Sequence, residues 1–349
     1  MSAWQTAQKE IEDQIGKENI ECMMNILRML QWMGDKCFIR MTFKKILKKL
    51  DRDSTIIHVH GWTKALSSSI FDIAFKMNFK VVVTLHDYFT ACPNGGYFNY
   101  QKNETCKLKP MSIKCIKCNC DSRNYMFKLY RVIRQFVQNK IVRLNERLEN
   151  VITISEFSEK ILKKTLNSKT KITRVYNPIE IIKDEQKDDI AKNKYFLYVG
   201  RISKEKGVDL FCEAITELKY EGVIVGDGDE KARLEEKYPN IKFTGWKDKR
   251  DVKKYMKNSK CLVFPSKWYE TAGLTVIEAQ TLGIPAIVSK NCAASEFIEE
   301  GKNGFLFENF EQLKENMMKL ESQSLQVTLN NDFGIEKYLN NLKKLYGEI

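Results

Sequence analysis

Short apolar segments rich in β-branched residues alternate along this chain with segments of helical spacing. Ser54 to His60 (STIIHVH) and Lys80 to His86 (KVVVTLH) are separated by one helical stretch. Asn150 to Ile154 (NVITI) begins a further strand, followed by Ser155 and a helix starting near Phe157. Parallel strands need a crossover of this length, so the pattern predicts β-α-β units and a parallel sheet. Lys171 to Tyr176 (KITRVY) leads into Asn177-Pro178, after which Ile179 to Lys194 is polar, charged and linker-like. The alternation resumes with a strand at Tyr195. A chain of 349 residues has room for two α/β domains, each burying its own core. The expected divisions are 1–178, 179–330 and a terminal helix over 331–349, in which Leu339, Leu342, Leu345 and Tyr346 share one face.

The stretch Glu270-Thr-Ala-Gly-Leu-Thr-Val-Ile-Glu278 carries the most chemical information. Lys260 to Ser266 (KCLVFPS) before it reads as a short strand, and Leu274 to Leu282 (LTVIEAQTL) after it has apolar residues at helical spacing. The segment therefore runs strand, loop, helix. A helix N-terminus beside glycine offers free backbone N–H groups to an anion such as a diphosphate. Glu270 in the loop and Glu278 two turns into the helix, both acceptors when ionised, suit hydroxyls attached on either side of that phosphate.

On these residues the chain resembles the retaining nucleotide-sugar glycosyltransferases of family 4, which carry two glutamates separated by seven residues at this place. Tyr195 to Lys206 (YFLYVGRISKEK) with Gly207 is similar to the family's strand and basic turn; Arg201 and Lys206 match the positions that meet the donor diphosphate. Val223 to Gly228 (VIVGDG), Phe243 to Trp246 (FTGW) and Ala286 to Ser289 (AIVS) follow in the family's order. The resemblance covers roughly residues 52–349. It implies a GT-B fold, two Rossmann-like domains facing a cleft. Met1 to Leu50 departs from that pattern: it is polar, helical in spacing and holds only Gly16 and Gly34, so the N-terminal domain is expected to lack its first strand and glycine loop.

The resemblance also distributes roles. Arg201 and Lys206 would neutralise the departing diphosphate, a role that needs no metal. Glu270 would hold donor-sugar hydroxyls and Glu278 the ribose. Gly200, Gly226, Trp246, Thr271, Ala272, Gly273 and Leu274 would line the donor site. His86, at a strand end within Leu85-His86-Asp87-Tyr88, matches the family's donor-sugar histidine. His58 and His60 are read as facing opposite sides of one strand, with His60, beside Gly61, nearer the ligand and His58 structural. Such enzymes retain anomeric configuration, and front-face attack assisted by the leaving phosphate is the account the family favours. The implied reaction moves a sugar from a nucleotide donor to a saccharide or lipid-linked saccharide during surface polysaccharide assembly. The alternative reading is a truncated or noncatalytic subunit that binds nucleotide-sugar.

Composition narrows the partners. A net charge of +13 points to nucleic acid, anionic lipid or a phosphorylated acceptor. No nucleic-acid motif occurs, so nucleic acid is not an expected partner. Tyr125 to Arg147 (YMFKLYRVIRQFVQNKIVRLNER) is a basic amphipathic helix candidate with two readings: membrane-surface contact, or an ordinary surface helix whose apolar stripe lies on the domain core. With no run of 18 apolar residues and no signal-peptide pattern, the expected location is the cytoplasm, peripheral on the inner membrane face if that helix meets lipid. The ten cysteines are then reduced thiols or metal ligands. Five fall between Cys92 and Cys120 in a cysteine-rich insertion over 90–122. Cys106, Cys115, Cys118 and either Cys92 or Cys120 are candidates for structural zinc, with free thiols as the alternative.

Overall fold

The computed structural model describes residues 36–63, 66–180, 193, 195–323, 325, 327 and 333–349. Two units divide the chain. The first comprises residues up to Tyr97, Lys107–Pro178 and Gly334–Ile349; the second comprises Phe98–Cys106 and Ile179–Phe333. The expectation for Met1 to Leu50 lies largely outside the described residues, of which Lys36–Leu47 form a helix. Of the polar segment between the domains, 181–192 and 194 also lie outside them.

In the first unit, β1 (Ile56–His60), β2 (Lys80–Leu85), β5 (Asn150–Thr153) and β6 (Lys171–Arg174) form a parallel sheet in the order β1-β2-β5-β6. Pairing sets His60 opposite Thr84 and Leu85 opposite Thr153. Val81, Val82 and Val83 are all buried, as a strand covered on both faces requires. The helix Glu156–Leu162 after β5 is capped by Ser155, whose hydroxyl accepts from the Ser158 N–H at 3.0 Å. The terminal helix Ile335–Gly347 lays Tyr338, Leu339, Leu342 and Leu345 against Ile56, Val82, Ile152 and Val175.

The second unit begins with a two-stranded hairpin, β3 (Phe98–Asn99) and β4 (Glu104–Thr105), taken from the cysteine-rich insertion that the sequence pattern assigns wholly to the first domain. The Thr105 hydroxyl donates to the Lys267 carbonyl at 2.6 Å, which ties the hairpin to a loop of its own unit. Six parallel strands build the main sheet: β7 (Tyr195–Val199), β8 (Glu221–Val225), β9 (Lys242–Phe243), β10 (Ser259–Phe264), β11 (Ala286–Ser289) and β12 (Gly304–Phe307), in the order β12-β11-β10-β7-β8-β9. Alternation divides its core between two faces. Phe196, Tyr198, Ile224 and Val263 pack with the helices Val208–Leu218 and Phe310–Ser322, whereas Leu197, Val223, Leu262 and Val288 pack with Val276 and Ala279. The chain adds strands outward from β7, then crosses back to start again at β10. Neighbouring strands there send their connections to opposite sides, leaving a crevice beyond their carboxyl ends.

The basic amphipathic segment is shorter than its periodicity suggests. Its helix runs Tyr125–Phe136, continues as a π-turn over Val137–Ile141, and is interrupted at Arg143, whose φ of 57° is left-handed. Nor does its apolar stripe meet the core: Lys128, Val132, Gln135 and Gln138 are buried, while Met126, Tyr130, Ile133 and Phe136 are exposed. The reading of an ordinary surface helix with a buried apolar stripe is therefore overturned.

Leu342 is 1% exposed against the first sheet. Leu342→Ala is expected to lower unfolding free energy by about 2–4 kcal/mol, measured by urea denaturation; an unchanged midpoint would deny the terminal helix its place in that core.

Candidate functional site

Loops at the carboxyl ends of β7 and β10 bring together Arg201, Glu205, Lys206, Lys267 and Glu270. After β7 the chain passes Gly200 and Arg201 and makes a short turn over Lys204–Lys206. The Tyr198 hydroxyl donates to the Arg201 carbonyl at 2.8 Å, bracing this turn from below. Burial, with the Glu270 carboxylate adding to it, pushes the Tyr198 phenol well above its ordinary range, so it stays protonated and donates. The Arg201 guanidinium is 60% exposed and pairs with Glu205, whose side chain is 3% exposed. A largely solvated cation is thus aimed by a buried carboxylate.

The loop after β10 is clamped to the same turn. The Lys267 N–H donates to the Glu205 carbonyl at 2.9 Å, and the Lys267 ammonium meets Asp209 at 2.6 Å. Glu270 follows, held through its backbone carbonyl by the Ala293 N–H at 3.0 Å. Its carboxylate pairs with the Lys206 ammonium and accepts from the Trp268 indole N–H at 3.0 Å. The Lys206 ammonium also lies 5.2 Å from the Trp268 ring centroid. Lys206 and Glu270 are the central pair, each more than four-fifths withdrawn from water.

Four residues later the helix Leu274–Thr281 begins. Its cap is Gly273 at φ 73°, where an added Cβ would stand 2.5 Å from the Ala294 Cβ, so both backbone angle and space require glycine. Gly273 has no side chain to cap the helix, which leaves its first N–H groups available to an anion. Thr271 and Gly273 are buried and Ala272 and Leu274 half-buried beside this terminus. Glu278, half-buried on the helix, has no hydrogen-bond or ion-pair partner for its carboxylate among the described residues. Burial raises its pKa, partly offset by Lys249.

Gly226 has a different reason to be glycine. A Cβ there would fall 1.9 Å from the Gly200 carbonyl oxygen, so the two loops approach backbone to backbone. Trp246, next to the Gly245 carbonyl that accepts from the Gly226 N–H, is 75% exposed.

His86 belongs to the first unit, just beyond β2. Its Nε2 lies 2.9 Å from Nδ1 of His60 at the end of β1, and the rings stack at 5.2 Å. His58 and His60 share one face of β1, with ring centroids 4.1 Å apart; this corrects the opposite-face reading, since strand side chains repeat every two residues. His58 is held by Thr84 Oγ1 at 2.7 Å and the Tyr346 hydroxyl at 2.5 Å. Burial lowers the pKa of His58 to about 3, that of His86 to about 4, and that of His60 well below its usual value. All three are neutral imidazoles at pH 7. One member of the His60–His86 pair then donates and the other accepts.

Cys106, Cys115, Cys118 and Cys120 are not brought together as one ligand set. Cys106 falls in the second unit, and among the described residues no group of three or more His, Cys, Asp or Glu side chains is placed to hold a metal ion. The Lys128 ammonium, fully buried, instead reaches Cys115 Sγ at 3.7 Å, and Asn94 Nδ2 lies 3.7 Å from Cys120 Sγ. A cation packed against sulfur competes with a metal for the same lone pairs.

Motif reading finds His86 and His60 but misses Tyr198 and Glu205, which brace the turn that carries Arg201. Glu205 was signalled only by its i,i+4 spacing from Arg201, whereas no local pattern reveals the Ala294 wall.

The family described as Glycosyl transferases group 1 matches residues 180–338. An uncharacterized 41.2 kDa protein in the cps region of Klebsiella pneumoniae is 27% identical over 274 residues, 74% of each chain. An uncharacterized glycosyltransferase of Methanocaldococcus jannaschii is 26% identical over 218 residues, 58% of this chain and 60% of its own. Among solved structures, Anabaena HepE in complex with UDP and glucose superposes with a TM-score of 0.62 at 16% identity, covering 89% of this chain and 81% of that one.

The neutral histidines make stability pH-dependent. Their folded pKa values lie below the unfolded value near 6.5, so the stability they contribute is complete above it and is lost as pH falls toward 4. In urea titrations between pH 6.5 and 5, His58→Gln is expected to flatten the fall in stability by up to about 1.4 kcal/mol per pH unit. An equal slope would mean that His58 is already charged in the folded protein.

Proposed function

From the premise that this chain is a glycosyltransferase of GT-B fold with a glycosyl transferases group 1 domain, we propose that it is a retaining family 4 enzyme of surface polysaccharide assembly. It moves a sugar from a nucleotide-sugar donor to a saccharide or lipid-linked saccharide. The cps-region relative supports the pathway, and the UDP and glucose bound to the structural relative support the donor class. One observation carries the reading most: the Lys206 ammonium, the Glu270 carboxylate and the uncapped start of the helix Leu274–Thr281 stand together at the point where the strand order reverses.

In this reading the donor diphosphate meets the N–H groups at that helix start and draws Lys206 from Glu270. Glu270, still held by Trp268, is freed to accept from hydroxyls of the donor sugar. Arg201, oriented by Glu205, takes up the charge that grows on the outer phosphate as the sugar bond breaks. Glu278, already withdrawn from water, accepts from the ribose. The acceptor hydroxyl attacks from the side of the departing phosphate, whose oxygen takes its proton, and configuration is retained.

Calorimetry and thermal shift against UDP-, GDP- and ADP-sugars test the site. One donor is expected to stabilise the wild type by about 2.7 kcal/mol at a hundredfold excess over Kd, an effect lost in Arg201→Ala. Turnover in Lys206→Ala and in Glu270→Ala should fall about 100-fold or more with folding intact. Wild-type rates in both would remove these residues from the site.

The raised pKa of Glu278 supplies a separate check. Donor affinity needs the ionised carboxylate, so on acidification it should weaken at a higher pH than an ordinary glutamate would dictate. Glu278→Gln should bind more weakly and with a flat pH profile. A pH profile shared by both proteins would place the titrating group elsewhere.

A further inference from the structure

The helix Tyr125–Phe136 is built inside out. Polar residues of this helix and of the π-turn after it are consumed by the carbonyls of the loop that follows His86: Gln135 Nε2 donates to the Thr90 carbonyl at 3.1 Å, Gln138 Nε2 to that of Phe89 at 3.1 Å, and Arg134 to that of Pro93 at 2.9 Å. Arg131 donates to Asn94 Oδ1 at 2.6 Å and pairs with Asp121 at 2.9 Å. Buried carbonyls need donors, and this loop forms no sheet to supply them. Meeting that need turns the other face outward. Met126, Tyr130, Ile133, Phe136 and Ile141 are each more than half exposed, Ile141 to 67%. Ile113 extends the face at 72% exposure, from the short helix Ile113–Lys117 whose Ile116 carbonyl accepts from the Tyr125 hydroxyl at 3.0 Å. Of the large apolar residues exposed elsewhere among the described residues, only Met41, Trp246 and Met318 remain, and they are scattered. A contiguous apolar surface of this kind marks an interaction site.

Charge decides what it meets. From Lys107 to Arg143 the sequence holds ten Lys and Arg and one acidic residue, Asp121, which is fully buried. The surface cleft beside the apolar ridge, about 600 Å³, is lined by Arg123, Phe127, Tyr130, Arg131 and Arg134. A second copy of the chain would set this excess of cations against itself. We propose that the face formed by Ile113–Lys117 and Tyr125–Ile141 docks on an anionic lipid surface. Ile133, Phe136 and Ile141 enter the headgroup boundary, the tyrosines sit at its polar edge, and the flanking lysines and arginines meet lipid phosphates. The inference stands on the first unit alone and does not depend on the donor chemistry.

Flotation of the whole protein with vesicles tests it. Wild type is expected to float with phosphatidylcholine vesicles containing about a third phosphatidylglycerol, to float little with phosphatidylcholine alone, and to be released by about 0.5 M salt. Ile133→Ser with Phe136→Ser should reduce the bound fraction about tenfold or more while melting as the wild type does. Wild-type protein that stays unbound to the anionic vesicles would overturn the proposal, as would equal flotation of the variant. A wild-type dimer in gel filtration, dissolved by the same substitutions and indifferent to vesicles, would overturn it by assigning the face to self-association.

Discussion

The reversal of strand order between β7 and β10 is the constraint on which the second unit's chemistry depends. Connections that leave neighbouring strands in opposite directions cannot close over their ends, so the crevice exists before any side chain fills it. Everything charged in the site hangs from those two ends. Arg201 and Lys206 come from the turn after β7, and Glu270 and the helix carrying Glu278 come from the loop after β10. Backbone hydrogen bonds from Lys267 to Glu205 and from Ala293 to Glu270 hold the loops in register.

Electrostatic satisfaction inside this crevice is local and exchangeable. Lys206 and Glu270 neutralise one another with little water around them, and Trp268 gives Glu270 a second donor. An anion that displaces the carboxylate from Lys206 therefore leaves no buried charge without a partner, which keeps the desolvation cost of the exchange low. Glu278 differs because burial without a described partner raises its pKa, and a hydroxyl-bearing ligand would relieve that condition.

The fold class was legible because parallel strands covered on both faces write continuous apolar runs, and Val81–Val83 and Cys261–Phe264 are such runs. Placement at strand ends followed from the same runs, since Arg201 and Glu270 stand a few residues beyond them. Orientation was not legible. Periodicity in Tyr125–Phe136 reveals two faces but not which one turns inward; the open carbonyls of Phe89, Thr90 and Pro93 decide that, and they lie more than 30 residues away in the chain. The pairing of His60 with His86 depends on the β1–β2 register, which no single-strand pattern records. Likewise, the cysteine spacing offers a ligand set but cannot show that Lys128 is buried among the sulfurs.

The most direct test of the proposed diphosphate site is the phosphorus NMR spectrum of UDP titrated with this protein. Both phosphorus resonances should shift on binding, and the perturbation should shrink in Lys206→Ala while the folded proton spectrum is unchanged. Resonances unmoved at saturating protein, or moved equally by the variant, would contradict the account.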